Sequence, residues 1–170
     1  MEQINIFDHA SHIMNAVKSG VLLTAKADGK VNTMAISWGM IGIEWNKPVF
    51  ITFVRDSRFT KEFIDKTGVF TVNIPTDATD PEFMRKVIGY CGSRSGRDTD
   101  KAADMGFTLV DGITVDSPAI KEIPLTLECK VIYKQKQDPF ALDESNKARF
   151  YGDGDIHTAY YGEIVNSYII

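Results

Sequence analysis

The chain lacks several features that would assign it to a familiar class of protein. Its formal net charge is -4, with 19 basic and 23 acidic residues among 170, so it has no basic excess for binding nucleic acid. The first residues show no basic segment followed by an apolar one, and no apolar run is long enough to cross a bilayer. We therefore expect a cytoplasmic protein that binds neither nucleic acid nor a membrane.

Cysteine and clustered metal ligands are also scarce. Cys91 and Cys129 are far apart and form no CxxC, so neither a disulfide framework nor a zinc site is predicted. A basic loop beside Cys91 could lower the pKa of its thiol, but buried inert thiols are the favoured interpretation for both. Asp153, Asp155 and His157 alternate like ligands, yet no further ligand set accompanies them, so we predict no metal site.

Two catalytic signatures are missing as well. The sequence contains no nucleophile elbow and no assembled acid–base pair, so no side chain is predicted to be catalytic. The glycines at positions 89, 92 and 96 match neither the dinucleotide fingerprint nor the P-loop spacing. The spacing therefore implies no NTP site.

The composition that remains is that of a globular protein. Hydrophobic residues make up 44% of the chain and charged residues 25%. A chain of this length can bury a sizeable core without disulfides or metals. We expect one domain over residues 1–170.

Strand patterns outnumber helical ones along the chain. Strands are predicted at 21–27, 31–43, 49–54, 69–74, 107–110, 113–115, 123–133, 148–150 and 160–165. Short helices are predicted at 8–18, 59–66, 80–89 and 101–104. Asp28-Gly29 is a hairpin turn signal between the first two strands. This pattern predicts a mainly β, barrel-like fold with short helices rather than a doubly wound sheet.

One predicted strand, Asn32–Trp38, is rich in polar and aromatic residues where aliphatic ones are usual. Alternation divides its side chains into two faces: Asn32, Met34, Ile36 and Trp38 on one, and Thr33, Ala35 and Ser37 on the other. The second face is small and hydroxylic, which would let a flat ligand lie against the backbone. A partly solvated edge strand is the alternative interpretation.

A second polar segment follows about twenty residues later and runs into a helix. Two guanidinium groups, two hydroxyls and a helix N-terminus come together in Arg55, Ser57, Arg58 and Thr60, which is a suitable set for binding a phosphate group. The alternative is that Ser57 caps the helix and the arginines are solvated or paired with Asp56. The glycine-rich loop 91–101 adds flexible backbone and two more arginines.

These motifs together resemble the flavin reductase-like family, particularly its flavoredoxin branch. The resemblance is carried, in order along the chain, by Asn32–Gly39, Lys47–Val49, Arg55–Thr60, Gly68–Pro75, Cys91-Gly92, Ser95–Asp98 and Asp100-Lys101. It implies an FMN-binding split β-barrel, a homodimer with flavin sites near the subunit interface, and redox chemistry carried by the flavin. The chain departs from the family pattern at Ala35, where a hydroxyl residue is usual, and at Met40, where a second small residue is usual.

The resemblance also implies which residues bind the cofactor. The isoalloxazine ring would be lined by Asn32, Thr33, Met34, Ala35, Ile36, Ser37 and Trp38. The ribityl phosphate would be held by the turn containing Arg55, Ser57, Arg58, Phe59 and Thr60. The loop containing Cys91, Gly92, Ser95, Gly96 and Arg97 would close over the site.

Two functional classes stay open at this point. One is an FMN-dependent oxidoreductase with a small-molecule or protein electron donor and acceptor. The other is a non-enzymatic flavin- or haem-binding scaffold, or an electron carrier without nicotinamide-dependent turnover. No nicotinamide-binding motif chooses between NADH, NADPH and a protein donor, and nothing indicates whether FMN is a prosthetic group or an exchanging substrate.

Overall fold

The computed structural model describes residues 1–170. Ten strands are present: β1 Glu2–Gln3, β2 Val21–Ala27, β3 Lys30–Ile36, β4 Gly39–Glu44, β5 Lys47–Arg55, β6 Val69–Ile74, β7 Leu109–Val110, β8 Ala119–Ile120, β9 Leu125–Lys136 and β10 His157–Ile169. Five short helices join them: α1 Ala10–Ser19, α2 Phe59–Thr67, α3 Pro81–Ser93, α4 Lys101–Met105 and α5 Glu144–Phe150. The predicted mainly β fold with short helices is confirmed.

The main sheet follows the order β3-β2-β6-β9-β10-β5-β4. Strands β3 and β4 are therefore at opposite ends of this path, although only Ser37 and Trp38 separate them in the chain. Since so short a link spans only roughly 10 Å, the sheet must curl until its first and last strands meet. The result is a barrel that stays open between β3 and β4, with Ser37 and Trp38 bridging the opening.

This closure corrects the prediction of one long strand from Val31 to Ile43. Both halves have strand-forming sequences, but β3 pairs with β2 while β4 pairs with β5. The break at Ser37-Trp38 lets the chain pass from one edge of the sheet to the other. It also places the polar segment that the sequence singled out at the opening of the barrel.

Two other predicted strands are wrong. Residues 113–115 form a loop because their backbone N–H groups donate to the carboxylate of Glu128 instead of to a neighbouring strand. Residues 148–150 belong to helix α5, whose N-cap Asp143 accepts a hydrogen bond from the backbone N–H of Asn146. The first four helices and the hairpin turn are confirmed, the turn with φ values of 50° at Asp28 and 74° at Gly29.

Hydrophobic side chains on the two faces of β2 enter two separate clusters. Leu23 points into the barrel, where the large side chains of Phe50, Phe70 and Tyr160 are fully buried. Leu22 points outward and packs in a second cluster that includes Met84, Val87 and Cys91 of α3. Helix α3 therefore covers the outside of the β2–β3 hairpin, and this positions the loop that follows it over β3. None of the five helices has the length and apolar composition needed to cross a bilayer.

Candidate functional site

The predicted site residues come together at the opening of the barrel, around two adjoining clefts. The first cleft is lined by Asn32, Met34, Ala35, Ser57, Arg58, Phe59, Thr60, residues 91–97 and Lys101. The second cleft is lined by Met34, Ala35, Ile36, Ser37, Trp38, Phe53, Arg55, Arg58 and His157. Because the clefts share Met34, Ala35 and Arg58, they form one continuous groove. Every predicted site residue except Thr33 lines this groove.

The position of Thr33 differs from the prediction that the small hydroxylic face of this strand is accessible to a ligand. Its side chain is buried, accepts a hydrogen bond from Thr24 Oγ1 and donates to the carbonyl of Leu23. Helices α3 and α4 cover this face of β3 near Thr33. The small hydroxylic face is therefore accessible only farther along, at Ala35 and Ser37, and the Thr33 side chain cannot contact a ligand in the groove.

Arg55 is held by the C-terminal part of the chain. Its guanidinium donates to the carbonyl of Asp155 at 2.8 Å and to the carbonyl of Phe150 at 2.8 Å, and it lies 3.6 Å from the carboxylate of Asp153. It also packs over the ring of Tyr151. These contacts fix the connection between α5 and β10 against the groove, so Arg55 is not available in the way that the sequence predicted for a phosphate ligand.

Ser57 of the predicted phosphate-binding set and Arg97 of the predicted covering loop are also engaged in contacts within the chain. Ser57 donates from both its hydroxyl and its backbone N–H to the carboxylate of Asp155. Arg97 pairs with Glu62, donates to the carbonyl of Ser57 and stacks over Phe59. Arg97 therefore ties the loop after α3 to the start of α2 and closes one end of the first cleft.

Arg58 differs from the other two arginines because its guanidinium forms no ion pair and no intramolecular hydrogen bond, and its side chain is exposed. It is the N-cap residue of α2, and no side chain caps that helix. The backbone N–H groups of Phe59 and Thr60 consequently have no acceptor. A free guanidinium beside unsatisfied N–H groups at a helix N-terminus is an arrangement that binds anions.

The floor of the first cleft is a buried polar contact that the sequence did not indicate. Asn32 Nδ2 donates to Thr60 Oγ1 at 2.7 Å, and both residues are nearly inaccessible to solvent. Gly96 lies directly against Asn32, since a Cβ at position 96 would be 1.9 Å from Asn32 Oδ1. This contact sets the distance between β3, the start of α2 and the loop after α3.

Lys101 is a site residue that sequence reasoning did not include, although its motif was noted. Its side chain is buried and lines the first cleft. The ammonium donates to the carbonyls of Thr33 and Cys91, each at 3.0 Å, and burial lowers its pKa. Burial also raises the pKa of the Cys91 thiol to about 11. Cys91 and Cys129 are both buried free thiols, as predicted.

His157 is the second residue that sequence reasoning missed, and its position at the start of β10 brings it into the second cleft. Its Nδ1 lies 2.8 Å from the hydroxyl of Tyr151, which lies 2.8 Å from Gln137 Oε1. Because a carbonyl oxygen only accepts, Tyr151 donates to Gln137 and His157 Nδ1–H donates to Tyr151. Nε2 of His157 is then an acceptor. Burial, reinforced by the charge of Arg55, lowers the pKa of His157 to about 4.

Trp38 forms an aromatic wall of the second cleft, which Arg58 also lines. Its ring packs edge-on against Phe150 with centroids 5.1 Å apart and lies 5.0 Å from the ring of His157. The groove therefore combines an anion-binding group, Arg58, where the two clefts meet, with an aromatic wall at Trp38 in the second cleft. A ligand that carries both a phosphate and a planar ring suits this combination.

Comparison with known proteins gives a consistent result. The flavin reductase like domain matches residues 14–170 of the chain. A flavoredoxin from Methanosarcina acetivorans is 30% identical with a TM-score of 0.68, covering 89% of this chain and 68% of that one. The flavoredoxin of Desulfovibrio vulgaris (Miyazaki F) is 26% identical with a TM-score of 0.66 over the same shares.

Curated relatives are similar but longer. Uncharacterized protein YddH of Escherichia coli (strain K12) is 32% identical over 127 residues, which cover 73% of this chain and 64% of the relative. An uncharacterized protein of Archaeoglobus fulgidus is 29% identical over 103 residues, 61% of this chain and 55% of the relative. The chain thus spans less than two thirds of the length of these relatives. Since the family match extends over nearly all of the chain, the protein belongs to the flavin reductase like domain family.

Proposed function

We propose that this protein is an FMN-dependent oxidoreductase of the flavin reductase-like type. The observation that carries the proposal is the groove that joins the free guanidinium of Arg58 to the aromatic wall at Trp38. FMN has a phosphate and a planar ring at its two ends, and its assignment is supported by the family and by FMN-binding proteins among the structural neighbours. Residues 1–170 would form one such domain, in the cytoplasm.

Different residues of the groove would bind the phosphate of the cofactor and contact its ring. Arg58 and the backbone N–H groups of Phe59 and Thr60 would hold the phosphate. Ala35, Ser37 and Trp38 would line the ring. Bound FMN supplies the hydride or electron chemistry, and the chain's own residues bind it, orient it and exclude water from one side of it.

A titration with two flavins tests this assignment. FMN carries a phosphate and riboflavin does not, so Arg58→Ala should weaken FMN binding by about 10- to 100-fold through the lost charge-assisted hydrogen bonds and leave riboflavin binding nearly unchanged. Quenching of flavin fluorescence measures both affinities. Arg85→Ala is the matched control, since Arg85 is an exposed arginine of α3 outside the groove. Equal losses for both flavins would contradict the phosphate site, and a colourless protein in excess FMN would contradict the function.

An electron carrier without nicotinamide-dependent turnover is the second candidate. It is favoured by the two flavoredoxins among the structural neighbours. Anaerobic mixing of the FMN-loaded protein with NADH or NADPH separates the two functions. Rapid bleaching of the flavin absorbance supports a reductase, whereas no bleaching with either nucleotide supports a carrier reduced by another protein.

The proposal includes a homodimer. Strand β4 is an edge strand of the sheet and exposes the large apolar side chains of Met40, at 50%, and Ile43, at 69%. Trp45, in the turn that follows β4, is 56% exposed. An edge strand that exposes apolar side chains and has its one charged residue, Glu44, at its end is suited to pairing with another chain. Because β4 follows Trp38 directly, a second copy bound there would lie next to the groove.

A further inference from the structure

A cavity of about 480 Å³ adjoins the groove, and its lining includes neither Arg58 nor the N-terminal residues of α2. It is lined by Met14, Val17, Lys18, Ser37, Trp38, Gly39, Phe53, Gln137, Leu142, Asn146, Phe150 and Tyr151. Its volume lies within the roughly 300–1,000 Å³ typical of small-molecule sites. Ser37, Trp38 and Phe53 line both this cavity and the second cleft, so a molecule bound in the cavity would lie across a shared wall from the groove.

The walls of the cavity suit a flat apolar molecule. Trp38 and Phe150 meet edge to face with centroids 5.1 Å apart, and Met14, Val17 and Leu142 add aliphatic surface. Aromatic rings pack favourably against such a pair, in offset or edge-to-face arrangements. The wall chemistry therefore favours an aromatic ring over a flexible or strongly polar ligand.

The lining of the cavity carries positive charge and no negative charge. Lys18, in the last turn of α1, is the one charged side chain in the lining, and no carboxylate faces it there. Lys18 is exposed and takes part in none of the salt bridges, unlike Lys26 and Lys47. The remaining polar groups in the lining are uncharged. A ligand with a negative substituent would satisfy the lysine, and a cationic ligand would be repelled by it.

We propose that this cavity binds a small planar aromatic carboxylate, with its ring packed against the Trp38 and Phe150 side chains and its carboxylate toward Lys18. The proposal rests on the proposed function, because only the shared wall of Ser37, Trp38 and Phe53 would separate such a molecule from FMN in the groove. A molecule that exchanges electrons with the flavin has to bind near it. The substrate class of the protein would accordingly be aromatic and anionic.

Benzoate is the probe that tests the cavity, with benzamide as the planar neutral molecule of similar size and acetate as the anion without a ring. Each is titrated into the FMN-loaded protein and followed by the difference spectrum of the flavin, and into the FMN-free protein by calorimetry. Benzoate should bind about tenfold more tightly than benzamide, and acetate should not bind measurably. Benzoate should also perturb the flavin spectrum.

Two charge-matched variants make the result specific. Lys18→Gln should weaken benzoate about tenfold and leave benzamide unchanged, while Lys86→Gln, which removes an exposed lysine of α3 away from the cavity, should change neither. Equal affinities for benzoate and benzamide, or no effect of Lys18→Gln, would overturn the proposal. If FMN binds and benzoate does not, the cavity proposal fails and the proposed function stands. If FMN does not bind, the proposed function fails, and calorimetry on the FMN-free protein still decides the cavity.

Discussion

His157 makes the free energy of unfolding depend on pH in a defined window. The folded protein keeps this imidazole neutral until its pKa of about 4, whereas the unfolded chain takes up the proton near the ordinary value of about 6.5. The unfolded state therefore binds more protons than the folded state between these two pH values. The contribution of His157 to the free energy of unfolding is complete above about pH 6.5. That contribution is lost as the pH falls toward 4 and changes no further below it.

We expect His157 alone to lower the free energy of unfolding by about 2 kcal/mol between pH 7.5 and pH 5. Urea denaturation of the wild type and of His157→Phe at both values measures it, and the variant should lack that share of the pH dependence. His9→Gln is the control, because the His9 side chain makes no hydrogen bond. Identical pH dependence in the wild type and His157→Phe would contradict the placement of a neutral His157 in the second cleft.

Gly96 and Gly89 form a matched pair of glycines with opposite expected effects. A Cβ at position 96 would collide with Asn32 Oδ1, whereas one at position 89, in the middle of α3, meets nothing within 4 Å. Gly96→Ala should break the contact between Asn32 and Thr60, lower the free energy of unfolding by roughly 1–3 kcal/mol and weaken FMN binding. Gly89→Ala should stabilise by about 0.5–1 kcal/mol. Urea denaturation and an FMN titration check both, and an undisturbed Gly96→Ala would contradict the described floor of the cleft.

At the scale of elements, one buried carboxylate organises the loop between β7 and β8. Glu128 on β9 is fully buried and accepts hydrogen bonds from the backbone N–H groups of residues 113–115 and from the hydroxyl of Tyr168. The amide of Glu128→Gln would turn a donor toward these N–H groups. We expect a loss of about 3–5 kcal/mol in the free energy of unfolding and faster hydrogen exchange at residues 113–115.

Glu122 provides the control for that experiment. It also accepts from a backbone N–H, that of Thr108, but its carboxylate is in a solvent-exposed contact. Because water can replace this contact, Glu122→Gln should lower the free energy of unfolding by no more than about 1 kcal/mol. Similar losses for the two variants would show that the burial of Glu128 has no special effect.

Local sequence signals account for most elements and for fewer of the site's details. Strand β6 has the predicted ends because Gly68 in a left-handed conformation precedes it and Pro75 follows it. The break at Ser37-Trp38 could not be predicted, since it follows from closure of the whole sheet and not from local propensity. The sequence could not distinguish Arg55 from Arg58 either, because the carbonyls that engage Arg55 lie about a hundred residues away.

At the scale of the whole molecule, the exposed edge strand β4 predicts the assembly state. Light scattering after size exclusion should give twice the mass of the chain, and Ile43→Lys should shift it to the monomer because a charge would be buried in the apolar contact. Ile113→Lys is the control, since Ile113 is also more than half exposed but lies outside β4. A monomeric wild type would contradict the homodimer, and an Ile43→Lys variant that stays dimeric would contradict the role of β4.

The buried ammonium of Lys101 joins the α3–α4 segment to β3 at one side of the groove. Moving the α3–α4 segment away from β3 would separate this ammonium from the carbonyl of Thr33 on β3, whereas its bond to the carbonyl of Cys91 lies within the segment. We therefore expect this side of the groove to stay closed, so that a flavin would enter and leave past the exposed Arg58. On this view the residence time of the flavin would depend on the groups around Arg58 more than on opening of the helical segment.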